Sequence, residues 1–307
     1  MAATESPHAV GACGQEVIVL GCVSCAGLVD KWAAEMSGVT LRLKEPTTIP
    51  IEADNICPDN FVGRSQAEIE TLPVCYGRRK VALGDLFTVE GEDSDNLVVE
   101  GDLRHVKKIG QRMTRGRITV RGDVGMHLGA YMGGGEILVE GDAGDWVGAH
   151  MRGGRIWITG NAGHLLGAAY RGEKRGVNRG VIVVEGNAGR EVGAQMRRGL
   201  IVVLGDVGDF AGAKMIAGSL FVFGRLGARA GAGMKRGTIV AFDDHAELLP
   251  TYRYECRFQP VFLRYYLLRL REWGLFIRDE YVEGFYRRYH GDITALGKGE
   301  ILIYDQR

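Results

Sequence analysis

The sequence predicts an all-β fold: a right-handed parallel β-helix, or solenoid, of about seven glycine-rich rungs of 19 residues, with an N-terminal cap and a helical, aromatic C-terminal cap. Three observations predict it. The apolar phrases "LVVEGD" (97–102), "ITVRGD" (118–123), "ILVEGD" (137–142), "IWITGN" (156–161), "VIVVEGN" (181–187), "IVVLGD" (201–206) and "LFVFGR" (220–225) each precede a Gly/Ala-rich stretch. These stretches usually end in methionine, and the column Met113, Met132, Met151, Tyr170, Met196, Met215, Met234 advances by 19 at every step except the 26 from Tyr170 to Met196. Within each phrase apolar residues alternate, as in Ile118 and Val120, which is the period of a half-buried strand.

Residues 1–38 form an N-terminal extension in which "EVIVLGCV" reads as a strand and "AGLVDKWAAEM" as a helix. Its "CVSC" (22–25) has the spacing of a metal or redox pair, but no second pair completes a zinc site. Cys13, Cys22, Cys25, Cys57, Cys75 and Cys256 share no repeating spacing, so buried reduced thiols and no metal are expected. Residues 39–96 are the N-terminal cap region, since an open terminal rung leaves backbone unpaired.

Residues 97–241 are the β-helix. One short strand cannot bury its face, whereas seven rungs stacked at roughly 4.8 Å make a rod about 30 Å long. Glycines at a recurring corner supply positive φ or room for a neighbouring backbone, so their resemblance to nucleotide-binding loops is architectural. The seven extra residues of the long step are placed in "RGEKRGVNRG" (171–180). Asp102, Asp123, Asp142, Asn161, Asn187 and Asp206 follow the corner glycine, and as a stacked column they are expected to be solvated or to accept backbone N–H groups. His127, His150 and His164 sit at different offsets, which favours surface or turn roles over a metal cluster. Arg115, Arg152, Arg171, Arg197, Arg198, Lys235 and Arg236 follow the methionine column, and the insertion adds Lys174, Arg175 and Arg179. In register they make a basic edge, which either attracts an anionic partner or ligand tail or consists of solvated charges that discourage edge pairing.

Residues 242–307 form a helical cap or docking segment. "QPVFLRYYLLRLREWG" (259–274) reads as a helix with proline early and glycine at its end. Its aromatic density either seals the rod or supplies an interface, with Phe262, Tyr265, Tyr266, Trp273 and Tyr286 as the docking candidates. Lysine plus arginine equals aspartate plus glutamate at 38 each, so net charge gives no reason to expect nucleic acid. The most apolar segment, 17–29, is too short for a membrane span and the start lacks a basic signal region, so a cytoplasmic protein is expected.

"LRLKEPTTIPIEADNICPDNFVGRSQAEIETLPVCYGRRKVALGDLFTVEG" (41–91), followed by rungs such as "GDVGMHLGAYMGGGEILVEGDAGDWVGAHMRGG" and by "GAAYRGEKRG", resembles the C subunit of formylmethanofuran dehydrogenase. The resemblance is closer still to the C subunit of the bacterial formyltransferase/hydrolase complex, and it covers about residues 39–307. A more distant similarity, through the rungs only, is to the C-terminal β-helix domain of the glutamate synthase large subunit. The resemblance implies a non-catalytic scaffold without its own cofactor, in a hetero-oligomer with the A, B and D subunits. In such complexes the zinc-dependent, amidohydrolase-like A subunit hydrolyses the formyl carrier. The D subunit moves the formyl group between tetrahydromethanopterin and a methylofuran-type carrier, in one-carbon oxidation of formaldehyde to formate. That carrier has a polyglutamate tail, which gives Arg152, Arg171, Lys174, Arg175, Arg179, Arg197 and Arg198 a hypothetical use. Two alternatives stand: the C subunit of a molybdenum or tungsten formylmethanofuran dehydrogenase with iron–sulfur partners, and a stand-alone β-helix acyltransferase or hydratase. Such stand-alone enzymes are built from six-residue steps, and 19 is not a multiple of six.

Overall fold

The structure is a computed structural model and describes residues 38–306. The expected N-terminal strand and helix, with Cys13, Cys22 and Cys25, lie outside the described residues.

The fold is mostly β, with one large sheet and few helices. The chain enters through β1 (Val39–Leu43), β2 (Ile51–Glu52), helix α1 (Gln66–Glu70), β3 (Pro73–Tyr76), β4 (Arg79–Ala82), helix α2 (Leu83–Leu86) and β5 (Phe87–Glu90). β6 (Asn96–Glu100) and β7 (Val106–Lys107) follow. β4, β3, β2 and β7 make a small four-stranded sheet. The stretch "PDNFVGRS" ties this region down. Asp59 accepts the Thr114 backbone N–H at 2.9 Å and also its hydroxyl, Asp93 accepts the Gly63 N–H at 2.6 Å, and Ser65 and Glu68 form a capping box. Phe61 beside them is fully buried.

Beyond β6 the strands β8 (Arg117–Arg121), β9 (Glu136–Val139), β10 (Arg155–Ile158), β11 (Val181–Val184), β12 (Leu200–Val203), β13 (Ser219–Val222) and β14 (Arg236–Ala241) lie side by side, all parallel. The register copies the sequence period, with Ile118 opposite Ile137, Ile137 opposite Ile156, and Ile156 opposite Ile182 across the long step. A second line of parallel bridges runs Leu103, Val124, Ala143, Ala162, Ala188, Val207, Leu226. Inward side chains of both lines share one apolar interior with Met113, Met132, Met151, Met196, Met215 and Met234, all fully buried.

Tyr170 does not belong to that methionine column. Val177, fully buried, fills the slot between Met151 and Met196, and its N–H donates to Gly167 while its carbonyl accepts from Arg197. The slot lies in the apolar interior, where a buried hydroxyl is costly unless it finds a partner. The steps are therefore 26 from Met151 to Val177 and 19 from Val177 to Met196, and the seven-residue insertion is 170–176, earlier than the sequence period alone suggests.

Glycine is needed at the corners for two reasons. Gly148 has φ +62°, and a Cβ on it would stand 2.5 Å from Ile182 Cδ1. Gly160 lies so close to the preceding repeat that a Cβ would overlap Asp142 Oδ1 and stand 2.6 Å from the Gly141 carbonyl oxygen. The polar column beside it makes turns. Asp123 accepts the Asp142 N–H at 2.9 Å, Asp142 that of Asn161 at 2.6 Å, Asn161 that of Asn187 at 2.9 Å, Asn187 that of Asp206 at 2.7 Å, and Asp206 that of Arg225 at 2.8 Å.

The C-terminal segment comprises β15 (Arg253–Phe258), helix α3 (Val261–Glu272), helix α4 (Asp279–Glu283), β16 (Phe285–Gly291) and β17 (Lys298–Asp305). It is a strand, β17, that pairs parallel with β14 and continues the stack, with β16 and β15 added antiparallel. The helices lie on the sheet's outer flank instead. There the outward residues turn apolar (Leu138, Trp157, Val183, Val202, Phe221, Val240), and Leu263, Leu267 and Leu270 of α3 pack into the same buried cluster. Trp273 fastens the helix end, its ring 4.9 Å from the Arg155 guanidinium carbon. Gly274, at φ +91°, stops the helix by donating its N–H to the Arg271 carbonyl.

Candidate functional site

The basic residues predicted from sequence fall into two neighbouring columns. The backbone ladder aligns Thr114, Gly133, Arg152, Asn178, Arg197, Ile216 and Lys235, and the residues after them are Arg115, Gly134, Gly153, Arg179, Arg198, Ala217 and Arg236. The edge is therefore interrupted. Arg152, Arg179, Arg197 and Arg198 occupy three successive repeats, while Gly133–Gly134 and Ile216–Ala217 separate them from Arg115 and from Lys235 and Arg236. Arg171, Lys174 and Arg175 lie in the insertion, which falls between the repeat of Arg152 and that of Arg179. Arg197 is half-buried and the other six are exposed, and among the described residues none of the seven pairs with a carboxylate.

Beside this group lies a cluster of rings that sequence reasoning missed. Two columns of left-handed residues run along the repeats: Lys108, His127, Trp146, Leu165, Glu191, Phe210 and Arg229 in one, Arg112, Tyr131, His150, Gln195 and Lys214 in the other. Left-handed φ turns these side chains out of the interior, so successive rings meet. His150 stacks on Tyr131 with centroids 4.9 Å apart. Tyr170, the first residue of the insertion, enters among them, its centroid 5.5 Å from His127, 5.8 Å from Tyr131, 4.9 Å from Trp146 and 5.1 Å from His150. Its hydroxyl lies 2.8 Å from His127 Nδ1, and its backbone N–H donates to His150 Nε2 at 2.8 Å. Burial lowers the pKa of both histidines and pushes the Tyr170 hydroxyl up to about 12. The signal in the sequence is the pairing of ring residues four apart, His127 with Tyr131 and Trp146 with His150, repeated after 19.

His164 is the turn histidine expected from the sequence: it is exposed, and its Nδ1 accepts the Arg190 N–H at 2.9 Å. His127 is half-buried and His150 only 8% exposed, so neither is a surface residue. Asp243, Asp244 and His245 bring their polar atoms within 4.8 Å of one another, and His245 has a raised pKa, chiefly through its hydrogen bond to Asp243.

The docking candidates divide. Tyr265 is 69% and Phe262 39% exposed, and with Val261 (81%) and Leu268 (40%) they form the outward side of α3. Tyr266 meets Phe221 edge to face, and Trp273 rests on Arg155. Tyr286, 1% exposed, is not a docking residue. It is core, packed by Phe242 and Tyr304, with its hydroxyl donating to the Tyr281 carbonyl at 2.7 Å.

A GXGXG motif model matches residues 104–256, which contain the repeats. The C subunit of the tungsten-containing formylmethanofuran dehydrogenase 2 of Methanothermobacter marburgensis is 44% identical over 100 residues, covering 31% of this chain and 37% of that protein. The Fhc C subunit of the formyltransferase/hydrolase complex of Methylorubrum extorquens is 39% identical over 89 residues, covering 29% of this chain and 34% of that protein. These aligned stretches span about a third of the curated relatives. A chain in the crystal structure of the M. extorquens formyltransferase/hydrolase complex (FhcABCD) with methylofuran matches much more fully, at 37% identity and TM-score 0.81 over 87% of this chain and 100% of that one. The chain belongs to the family of C subunits of formyltransferase/hydrolase complexes and formylmethanofuran dehydrogenases. In "PDNFVGRS" the side chains fasten the entry region to the first repeat, and in "AAYRG" Tyr170 meets the ring cluster. Among the described residues no helix is long and apolar enough to cross a membrane.

Proposed function

We propose that this chain is the non-catalytic scaffold of a formyltransferase/hydrolase complex, assembled with partners of the A, B and D types in tetrahydromethanopterin- and methylofuran-linked oxidation of formaldehyde to formate. The observation that carries the reading is the match over the whole length of a chain from such a complex. The groups with catalytic potential have structural work: His164 and His150 accept backbone N–H groups, and the buried thiol of Cys57 points to Asp59. In this reading the repeats coil as a parallel β-helix, supported by ladders along the strands, along the bridge line, and along Gly129, Gly148 and Gly167, whose N–H groups donate to Ile109, Leu128 and Val147. Zinc resides in the amidohydrolase-like partner. The exposed side of α3, with Phe262 and Tyr265, docks one of the partner proteins.

The unpaired cations Arg152, Arg171, Lys174, Arg175, Arg179, Arg197 and Arg198 hold the polyglutamate tail of the carrier while its reactive end moves between sites. Purification from native cells, with mass spectrometry of what accompanies the chain, tests the assembly. Amidohydrolase-like and formyltransferase partners support it. The identity to the C subunit of the tungsten enzyme favours a second reading, which iron–sulfur and molybdenum or tungsten partners would establish instead. A chain that emerges alone overturns both.

A further inference from the structure

The insertion that carries the cations leaves the ladder after Ala169 and rejoins it where Gly176 donates to the Gln195 carbonyl and Val177 to that of Gly167. Between those points the backbone gives one internal bond, from the Glu173 N–H to the Tyr170 carbonyl, and a Cβ placed on Gly172, at φ +88°, would meet nothing within 4 Å. Arg171, Lys174 and Arg175 are exposed and unpaired among the described residues, so they do not fix the loop themselves. What holds its first residue is the four-ring cradle. We propose that Tyr170, clasped by His127 and His150, is a positioning residue that fixes the insertion so that Arg171, Lys174 and Arg175 stand beside Arg152, Arg179, Arg197 and Arg198 as one polyanion-binding surface. This rests on the carrier-tail reading and adds to it the device that keeps the surface assembled. Flexible cations bind an oligoanion weakly because each must be ordered on binding, and a loop clasped beforehand avoids that cost.

The clasp has a chemical signature that packing alone does not. His150 Nε2 accepts from a backbone N–H, so it must be unprotonated there. Glu173 and Arg152 are the charged groups that act on His150, among the rings of Tyr131 and Tyr170, while Lys107, Lys108, Glu52 and Asp145 act on His127. Burial is the largest influence on both histidines and favours the neutral ring. The clasp is therefore closed near neutrality and opens as falling pH protonates His150. His150→Gln supplies an acceptor that does not titrate.

The test uses the full chain in its purified complex, with two readouts: tryptic nicking after Arg171, Lys174 and Arg175, and affinity for a hexaglutamate peptide at low salt. Tyr170→Ala is expected to raise nicking and lower hexaglutamate affinity, each by about fivefold to tenfold, the scale of one lost hydrogen bond with its ring contacts. Tyr170→Phe keeps the ring and the backbone bond and loses only the bond to His127, so it should fall between wild type and Tyr170→Ala. The ratio of nicking in wild type to that in His150→Gln should stay near one at pH 7.5 and rise as the pH falls below the ordinary histidine range, because burial lowers the pKa of His150 and glutamine does not titrate. A wild type that binds hexaglutamate no better than Tyr170→Ala does overturns the proposal and leaves the carrier-tail reading standing. Loosened nicking with unchanged affinity also overturns it. A wild type with no affinity for hexaglutamate overturns the carrier-tail reading and the proposal together.

Discussion

Phe221→Ala is the sharpest test of how the outer flank is built. Phe221 is fully buried on the outward face of β13, edge to face with Tyr266 of α3 at 5.6 Å and with Phe242 at 6.3 Å. Truncation removes a ring that no polar group can replace and leaves a void between helix and sheet, a loss of about 3–5 kcal/mol. Most of that loss falls on the docking of α3, because the interior of the repeats lies on the other face of the same strand. The assay is equilibrium urea unfolding of the full chain, followed by tryptophan fluorescence, in which Trp157 and Trp273 of the four tryptophans report the flank, and by far-ultraviolet circular dichroism, which reports the sheet. The expected result is an early fluorescence transition, lowered by several kcal/mol, ahead of the loss of strand signal. Phe221→Leu should cost about 1–1.5 kcal/mol, since it keeps most of the volume. Coincident transitions, with a loss below ~1 kcal/mol for the alanine variant, would refute the view that α3 is held by this outer core.

Two further predictions concern single groups. Gly160→Ala should lower stability by about 2–3 kcal/mol in thermal melts because its Cβ meets the backbone of the preceding repeat, whereas Gly172→Ala, strained in φ but unobstructed, should cost only about 1 kcal/mol. Equal losses would show that conformation rather than space sets the requirement. Cys57, whose thiol is pushed up to about 12 by burial, should react with a disulfide reagent at pH 8 at least ~10-fold more slowly than Cys75 or Cys256 and catch up on unfolding. Equal rates in the folded chain would contradict the buried placement.

The repeats are legible in the sequence because their period is written twice, once in alternating strand residues and once in glycines that each repeat needs against the last. The period misplaces Tyr170 for a physical reason. It sits nineteen residues after Met151 and is large, but its ring finds partners among His127, Tyr131, Trp146 and His150 outside the interior, and the chain skips seven residues to place Val177 in the slot. His127 and His150 look unrelated because they belong to adjacent columns, and the contact that joins them is Tyr170, a residue outside the period. The neighbours of Tyr286 in sequence suggest a docking aromatic, while its burial depends on Phe242 and Tyr304, which are distant from it or in a facing strand. The flank position of α3 is hidden for a similar reason. Outward residues such as Val183 and Val202 mark it only once the strands are aligned.

The line of side chains that each accept the next repeat's backbone N–H, from Asp123 to Asp206, makes the row of repeats a graduated length. Removing 19 residues between equivalent positions rejoins Asp, Asn and Gly to identical neighbours and brings the two ends together by one strand spacing of about 4.8 Å. A deletion out of step with the period would instead swap inward and outward faces and break every later pairing. Lineages of such a protein can therefore lengthen or shorten only in whole graduations, and any spacing it sets between proteins bound at its two ends is quantised in the same unit.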